Sequence, residues 1–249
     1  TIVLLLLLVG AAACGGAGGE GPAGAAHADP IGGLEAPPLA AGEKLKVVAT
    51  TNIVADGVGR VGGEAIELVT LMGIGVDPHS YVPAPAEVAT IHDAHLVFLN
   101  GGGLEGGLED VLESAGGDAP RVDISEGIQF LSAQEEAGAG HEGEDEHGEL
   151  DPHVWFSVPN VVRWVDSARQ ALSRLDPAHA ELYEANAERY AQELEELDAW
   201  IQAQVESIPQ ANRKLVTNHA SFGYLAERYG LEQIATVYPF NPSAENLAR

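Results

Sequence analysis

Hydrophobic residues fall into two rhythms along this chain of 249 residues. Short, dense apolar runs rich in β-branched residues open at Leu45 ("LKVVATT"), Ala65 ("AIELVTLM"), His95 ("HLVFLNG") and Arg121 ("RVDI"), and they predict buried strands. Between them, apolar positions recur at helical spacing over 53–61, 86–94 and "LEDVLESAG" from Leu108. Strand alternating with helix predicts an α/β fold, a parallel sheet covered by helices on both faces. Past residue 150 the helical rhythm takes over. Val161, Val162, Val165, Ala168 and Leu172 mark a helix over 159–175, interrupted at Asp176-Pro177 because proline disfavours helix at the residue before it. A longer helix is expected over 177–207, carrying Leu182, Tyr190, Leu194, Leu197 and Ile201. At ~1.5 Å per residue it would reach roughly 45 Å, the length of a backbone joining two lobes. A second βαβ pattern then opens with "KLVTN", "SFGYLAERYG" and "QIATVY". The sequence stops at "NPSAENLAR", where another helix begins, so the C-terminal lobe is expected to be truncated.

Three stretches obey neither rhythm. Residues 2–9, "IVLLLLLV", are too few for a membrane span, which needs ~20 apolar residues, but they suit the apolar core of a secretory signal. "GAAAC" comes next, with small residues leading into Cys14, the one cysteine of the chain. This resembles a bacterial lipobox, although Ala11 stands where leucine is common, and it implies lipidation at Cys14. Residues 15–44 are rich in Gly, Ala and Pro without periodicity, which predicts a flexible tether. Residues 131–150 are acidic and Gly-rich and carry His141 and His147; with nothing apolar to pack, they read as a mobile loop. The expected organisation is therefore a signal over 1–14, a tether over 15–44, an N-terminal α/β lobe over 45–158, a helical region over 159–208 and a C-terminal α/β lobe over 209–249.

Charge narrows the function classes. With 12 Lys+Arg against 38 Asp+Glu, the formal charge is −26, which excludes a nucleic-acid surface built on basic patches. The same field concentrates cations near the protein. A lone cysteine excludes internal disulfides and any Cys-rich zinc site.

The candidate chemistry lies in a repeated tripeptide. "GVDPHSYVP" carries His79 and "LDPHVWF" carries His153, each after Asp-Pro, and "VTNHASF" carries His219 just past a predicted strand. A single loop histidine is ordinarily polar surface. Three imidazoles in loops at the carboxyl ends of strands, where open α/β sheets bind ligands, match the needs of a divalent transition metal. Pro78 and Pro152 stiffen the backbone beside two of them. Asp77 and Asp151 are candidates to cap the loop or to hydrogen-bond a ring nitrogen. His27, His92, His95 and His179 read as surface.

These motifs, with "TTNIVADGVGRVGG" and "HDAHLVFLNGGGLE", resemble the zinc/manganese-type (cluster A-I) substrate-binding proteins of bacterial ABC transporters, over about 45–249. The resemblance implies two α/β lobes, each with a mainly parallel sheet, joined by one long helix, and a metal held in the cleft between them. It implies His79 and His153 as ligands from the first lobe and His219 from the second. Manganese-type members tend to carry Glu where His219 stands, so the resemblance favours Zn2+ over Mn2+. His141 and His147 fall in a loop similar to one thought to gather zinc weakly. The family's usual fourth ligand, an Asp, would lie beyond Arg249, and His95 stands where relatives have an acidic residue. The resemblance therefore implies an extracytoplasmic, lipid-anchored monomer, at the cell surface or in the periplasm, that delivers Zn2+ to an importer permease and catalyses no reaction. A manganese receptor is the nearest alternative; a zinc hydrolase would use the same histidines but lacks a His-Glu-x-x-His helix, and an adhesin would not depend on them. Because metal ligands must be neutral imidazoles, affinity is expected to fall as pH drops through the histidine range.

Overall fold

Strand β1, Leu45–Thr51, is buried along nearly its whole length, because it lies in the middle of a parallel sheet with side chains enclosed on both faces. The computed structural model describes residues 31–40, 42–115, 119–132 and 150–237. β1 pairs in parallel with β2, Ile66–Met72, on one side and with β3, Leu96–Leu99, on the other; β4, Arg121–Asp123, extends the sheet beyond β3. The order is β2-β1-β3-β4.

Alternation along each strand builds two cores. Val47 and Ala49 of β1 and Leu96 and Phe98 of β3 face helices α1 (Asn52–Gly62), α4 (Val158–Leu175) and α5 (Ala180–Ser207). Val48, Val97 and Leu99 point the other way, onto α2 (Pro85–His92) and α3 (Gly106–Ala115) through Ile91, Leu108 and Leu112. The expected two-sided α/β layering is thus present. Polar contacts lock the larger layer: Trp164 Nε1–H donates to Ser125 Oγ at 2.9 Å, and Asn186 of α5 donates to the Val61 carbonyl at the end of α1 at 2.9 Å.

The long helix differs from its expected start. Asp176 has φ −134° and ψ 73°, outside the helical region as a residue before proline favours, and Pro177–His179 form a 3-10 turn before α5 begins. The 28 residues of α5 run on to the second lobe, where β5 (Lys214–Thr217) and β6 (Glu232–Thr236) pair in parallel around α6 (Gly223–Tyr229). α6 is fastened to α5 by the Arg228–Asp198 ion pair and by Tyr229 Oη–H donating to Asp198 at 2.8 Å.

Within the stretch 15–44 expected as a tether, the described residues 31–40 include some docked on the core. Leu34 is buried in the main core, and Arg174 of α4 donates to the Leu34 and Gly32 carbonyls at 2.7 and 2.6 Å. Ile31 and Leu39 pack at the edge of the same core, contacts invisible to periodicity in a Gly/Pro-rich stretch. Residues 1–30, with Cys14, and 133–149, with His141 and His147, lie outside the described residues.

Leu172, fully buried on α4, tests this core. Leu172→Ala should lower unfolding free energy by about 2–5 kcal/mol, seen as a lower urea midpoint with unchanged slope. A loss under about 1 kcal/mol would mean that the site collapses freely and α4 is loosely docked.

Candidate metal centre

Local sequence rules aim the first histidine. After β2 the chain turns through Gly73 and Gly75, the latter at φ +88°, and enters a 3-10 turn over Pro78–Ser80. Asp77 caps that turn: Oδ1 accepts the His79 backbone N–H at 3.1 Å and Oδ2 accepts Ser80 Oγ–H at 2.9 Å. Of the two roles open to Asp77, this is the loop cap.

The second Asp-Pro-His is built differently. Asp151 Oδ1 accepts the His153 backbone N–H at 2.9 Å and also lies 2.8 Å from His153 Nδ1. Both residues are only 3% exposed. A carboxylate oxygen at that distance fixes the proton on Nδ1, leaving the Nε2 lone pair bare. His219, in the loop after β5, has Nδ1 3.3 Å from Asn218 Oδ1, an acceptor that selects the same tautomer.

The three rings converge. His79 Nε2 lies 3.3 Å from His153 Nε2, and His219 Nε2 lies 3.4 Å from it. One nitrogen from each of the three falls within 4.8 Å of the others, and no other such cluster of His, Cys, Asp or Glu occurs among the described residues. The rings border a cavity of about 340 Å³ between the lobes, walled by Met72, Trp155 and Phe222. All three sequence-predicted histidines are therefore together. His92 stays at the surface, as expected. His95, half-buried, also serves the sheet: its Nδ1 accepts the Lys46 backbone N–H at 3.0 Å, extending the β1–β3 pairing beyond the strand start. His179 Nδ1 lies 2.7 Å from the buried Asp176 carboxylate, at the helix junction.

The environment keeps two of the rings neutral. Burial, then the neighbouring His153, lowers the His79 pKa to about 4, and the same two causes lower that of His219. Protons therefore compete for His79 and His219 only below the ordinary histidine range.

Several supporting residues carry no signal in the sequence. Glu105 is fully buried behind the site and accepts from Thr50 Oγ1–H at 2.6 Å and from the Asn100 backbone N–H at 2.7 Å. Burial pushes its carboxyl up to about 7, against those hydrogen bonds. Asn100 Nδ2 in turn donates to the Pro152 carbonyl at 3.0 Å. The "NGGGLE" segment carries part of the family resemblance, but the support its acid gives is three-dimensional, and no spacing rule marks it.

Comparison with known proteins adds identity to geometry. The family model for the periplasmic zinc-uptake complex component A, ZnuA, matches residues 47–249, which include all three histidines. The chain is 36% identical over 193 residues to the manganese-binding lipoprotein MntA of Halalkalibacterium halodurans, covering 78% of this chain and 60% of that protein. It is 32% identical over 205 residues to the iron-binding protein YfeA of Yersinia pestis, covering 82% and 63%. The solved structure of the periplasmic zinc binding protein TroA from Treponema pallidum matches with a TM-score of 0.71 at 32% identity, over 82% of this chain and 72% of that one. The chain thus spans less than two thirds of the length of these curated relatives.

Since unfolded histidine titrates near 6.5 and folded His79 near 4, the unfolded state binds the extra proton between those values. The His79 contribution to the stability of the metal-free protein is then full above about pH 6.5 and is lost as pH drops toward 4. His79→Gln should flatten that part of the profile: its melting temperature should gain on wild type as pH goes from 7 to 4.5. Parallel melting profiles for the two proteins would refute the assignment.

Proposed function

Because the chain belongs to the ZnuA family of periplasmic zinc-uptake components, we propose that it is an extracytoplasmic receptor that captures Zn2+ between its two lobes and hands it to the permease of an ABC importer. The observation that carries this reading is the convergence of three imidazole nitrogens within 4.8 Å, with the His153 proton held on the far side of its ring. His79, His153 and His219 are the proposed ligands, and Asp151 orients the buried one. An all-nitrogen set suits zinc better than the harder manganese, and zinc accepts three protein ligands plus water. The relatives named for manganese and iron support a second reading, a manganese receptor with the same cleft. The matched relatives are metal-binding transport proteins rather than enzymes, which leaves the hydrolase and adhesin readings without support.

We place the protein outside the cytoplasm, with Cys14 as its lipid anchor, by the lipobox-like "GAAAC" and by its likeness to MntA, a relative named as a lipoprotein. Among the described residues, no helix is long and apolar enough to cross a membrane. The acidic segment carrying His141 and His147 is proposed to gather zinc weakly, on composition alone.

Competitive titration of chelator-stripped protein with Zn2+ and Mn2+ tests the proposal. One tight zinc site is expected, with manganese much weaker. Each of His79→Ala, His153→Ala and His219→Ala should abolish tight binding, and Asp151→Asn should weaken it about 10–100-fold. Manganese binding as tight as zinc would overturn the zinc assignment, and the absence of any tight site would overturn the receptor reading.

A further inference from the structure

Tyr224 sits on α6 in the second lobe, yet its buried hydroxyl is committed to the chain of the first. It donates to the Asp151 carbonyl at 2.8 Å and accepts the Leu131 backbone N–H at 2.9 Å. Asp151 is also the residue whose carboxylate holds the His153 ring. The next peptide is gripped from the opposite side, where Asn100 Nδ2 reaches the Pro152 carbonyl at 3.0 Å. The direction of each carbonyl fixes ψ of its residue, and the proline ring fixes φ of Pro152. The three backbone torsions that lead into His153 are therefore all constrained, one by each lobe and one by covalent geometry.

We infer that Tyr224 is a positioning residue for the metal centre, coupling the placement of the second lobe to the aim of the His153 lone pair. This rests on the reading of the three histidines as metal ligands. The hydroxyl is the operative part, since its removal leaves the ring to fill the same space while freeing the Asp151 carbonyl. Tyr229 on the same helix supplies a contrast: it is equally buried, and its hydroxyl donates to Asp198 on α5.

Tyr224→Phe and Tyr229→Phe are to be compared with wild type in the full chain, with Co2+ as the spectroscopic metal and with 15N-labelled histidine rings. Tyr224→Phe should weaken Co2+ binding about tenfold, change the d–d absorption of the bound ion, and shift or broaden the His153 Nδ1–H resonance in metal-free protein. Tyr229→Phe should lower the melting temperature while leaving these three readouts as in wild type. Wild-type affinity and His153 resonance in Tyr224→Phe would overturn the inference. So would equal changes in Tyr229→Phe, which would reduce the effect to a general loosening of α6. Wild-type protein that binds no Co2+ would overturn the ligand assignment and the metal-positioning role together, and it is told apart from the first failure by a His153 resonance that still responds to Tyr224→Phe.

Discussion

Asp151 and His153 share a hydrogen bond of 2.8 Å where both side chains are shut away from water. A buried carboxylate is tolerated only when donors surround it, and here the ring and backbone N–H groups of His153 serve that need. Holding the proton on Nδ1 forces the Nε2 lone pair outward, toward the equivalent nitrogens of His79 and His219. The three Nε2 atoms face one another, and the Asp151 carboxylate stands one ring behind them. At such short range that arrangement of donor nitrogens and carboxylate favours a cation. The capped turn at His79, the loop at His219 and the clamps on residues 151 and 152 all serve to keep this arrangement in place.

The sheet supplies the frame. Parallel strands send their carboxyl ends to one side, so the turn after β2, the loop after β3 at Leu104 and the start of α1 meet around the same cavity. The loop after β3 comes close to its neighbours: Gly102, at φ +67°, would place a Cβ 2.4 Å from the Phe130 ring. Glycine there lets the chain turn tightly enough for Glu105 to reach back to Thr50 and Asn100.

Much of this is legible in the sequence. The β-branched runs mark the strands to within a residue or two because a two-sided sheet demands continuous apolar character, and the repeated Asp-Pro-His isolates two of the three rings. His219 is visible through its place after a strand. What escapes detection is whatever acts through backbone carbonyls. Asn100 and Tyr224 hold Pro152 and Asp151 from 52 and 73 residues away in sequence, and a carbonyl leaves no residue-type signature to find. Leu34 is hidden for a related reason, since a docked side chain in a Gly/Pro-rich stretch has no period. His95 passes for surface because a ring nitrogen can stand in for a strand carbonyl, which hydropathy cannot register.

The closure that joins residues 131–132 to 150–151 carries an evolutionary implication. Asp151 N–H donates to the Leu131 carbonyl at 2.8 Å, Ser132 and Leu150 form an antiparallel bridge, and Tyr224 binds both ends at once. The two ends are thus joined whatever chain runs between them. Lengthening that chain costs only the logarithm of its size, roughly 0.6 kcal/mol per doubling. A change in the number of residues between 132 and 150 therefore need not disturb His153, so evolution can vary length there while the metal centre keeps its geometry.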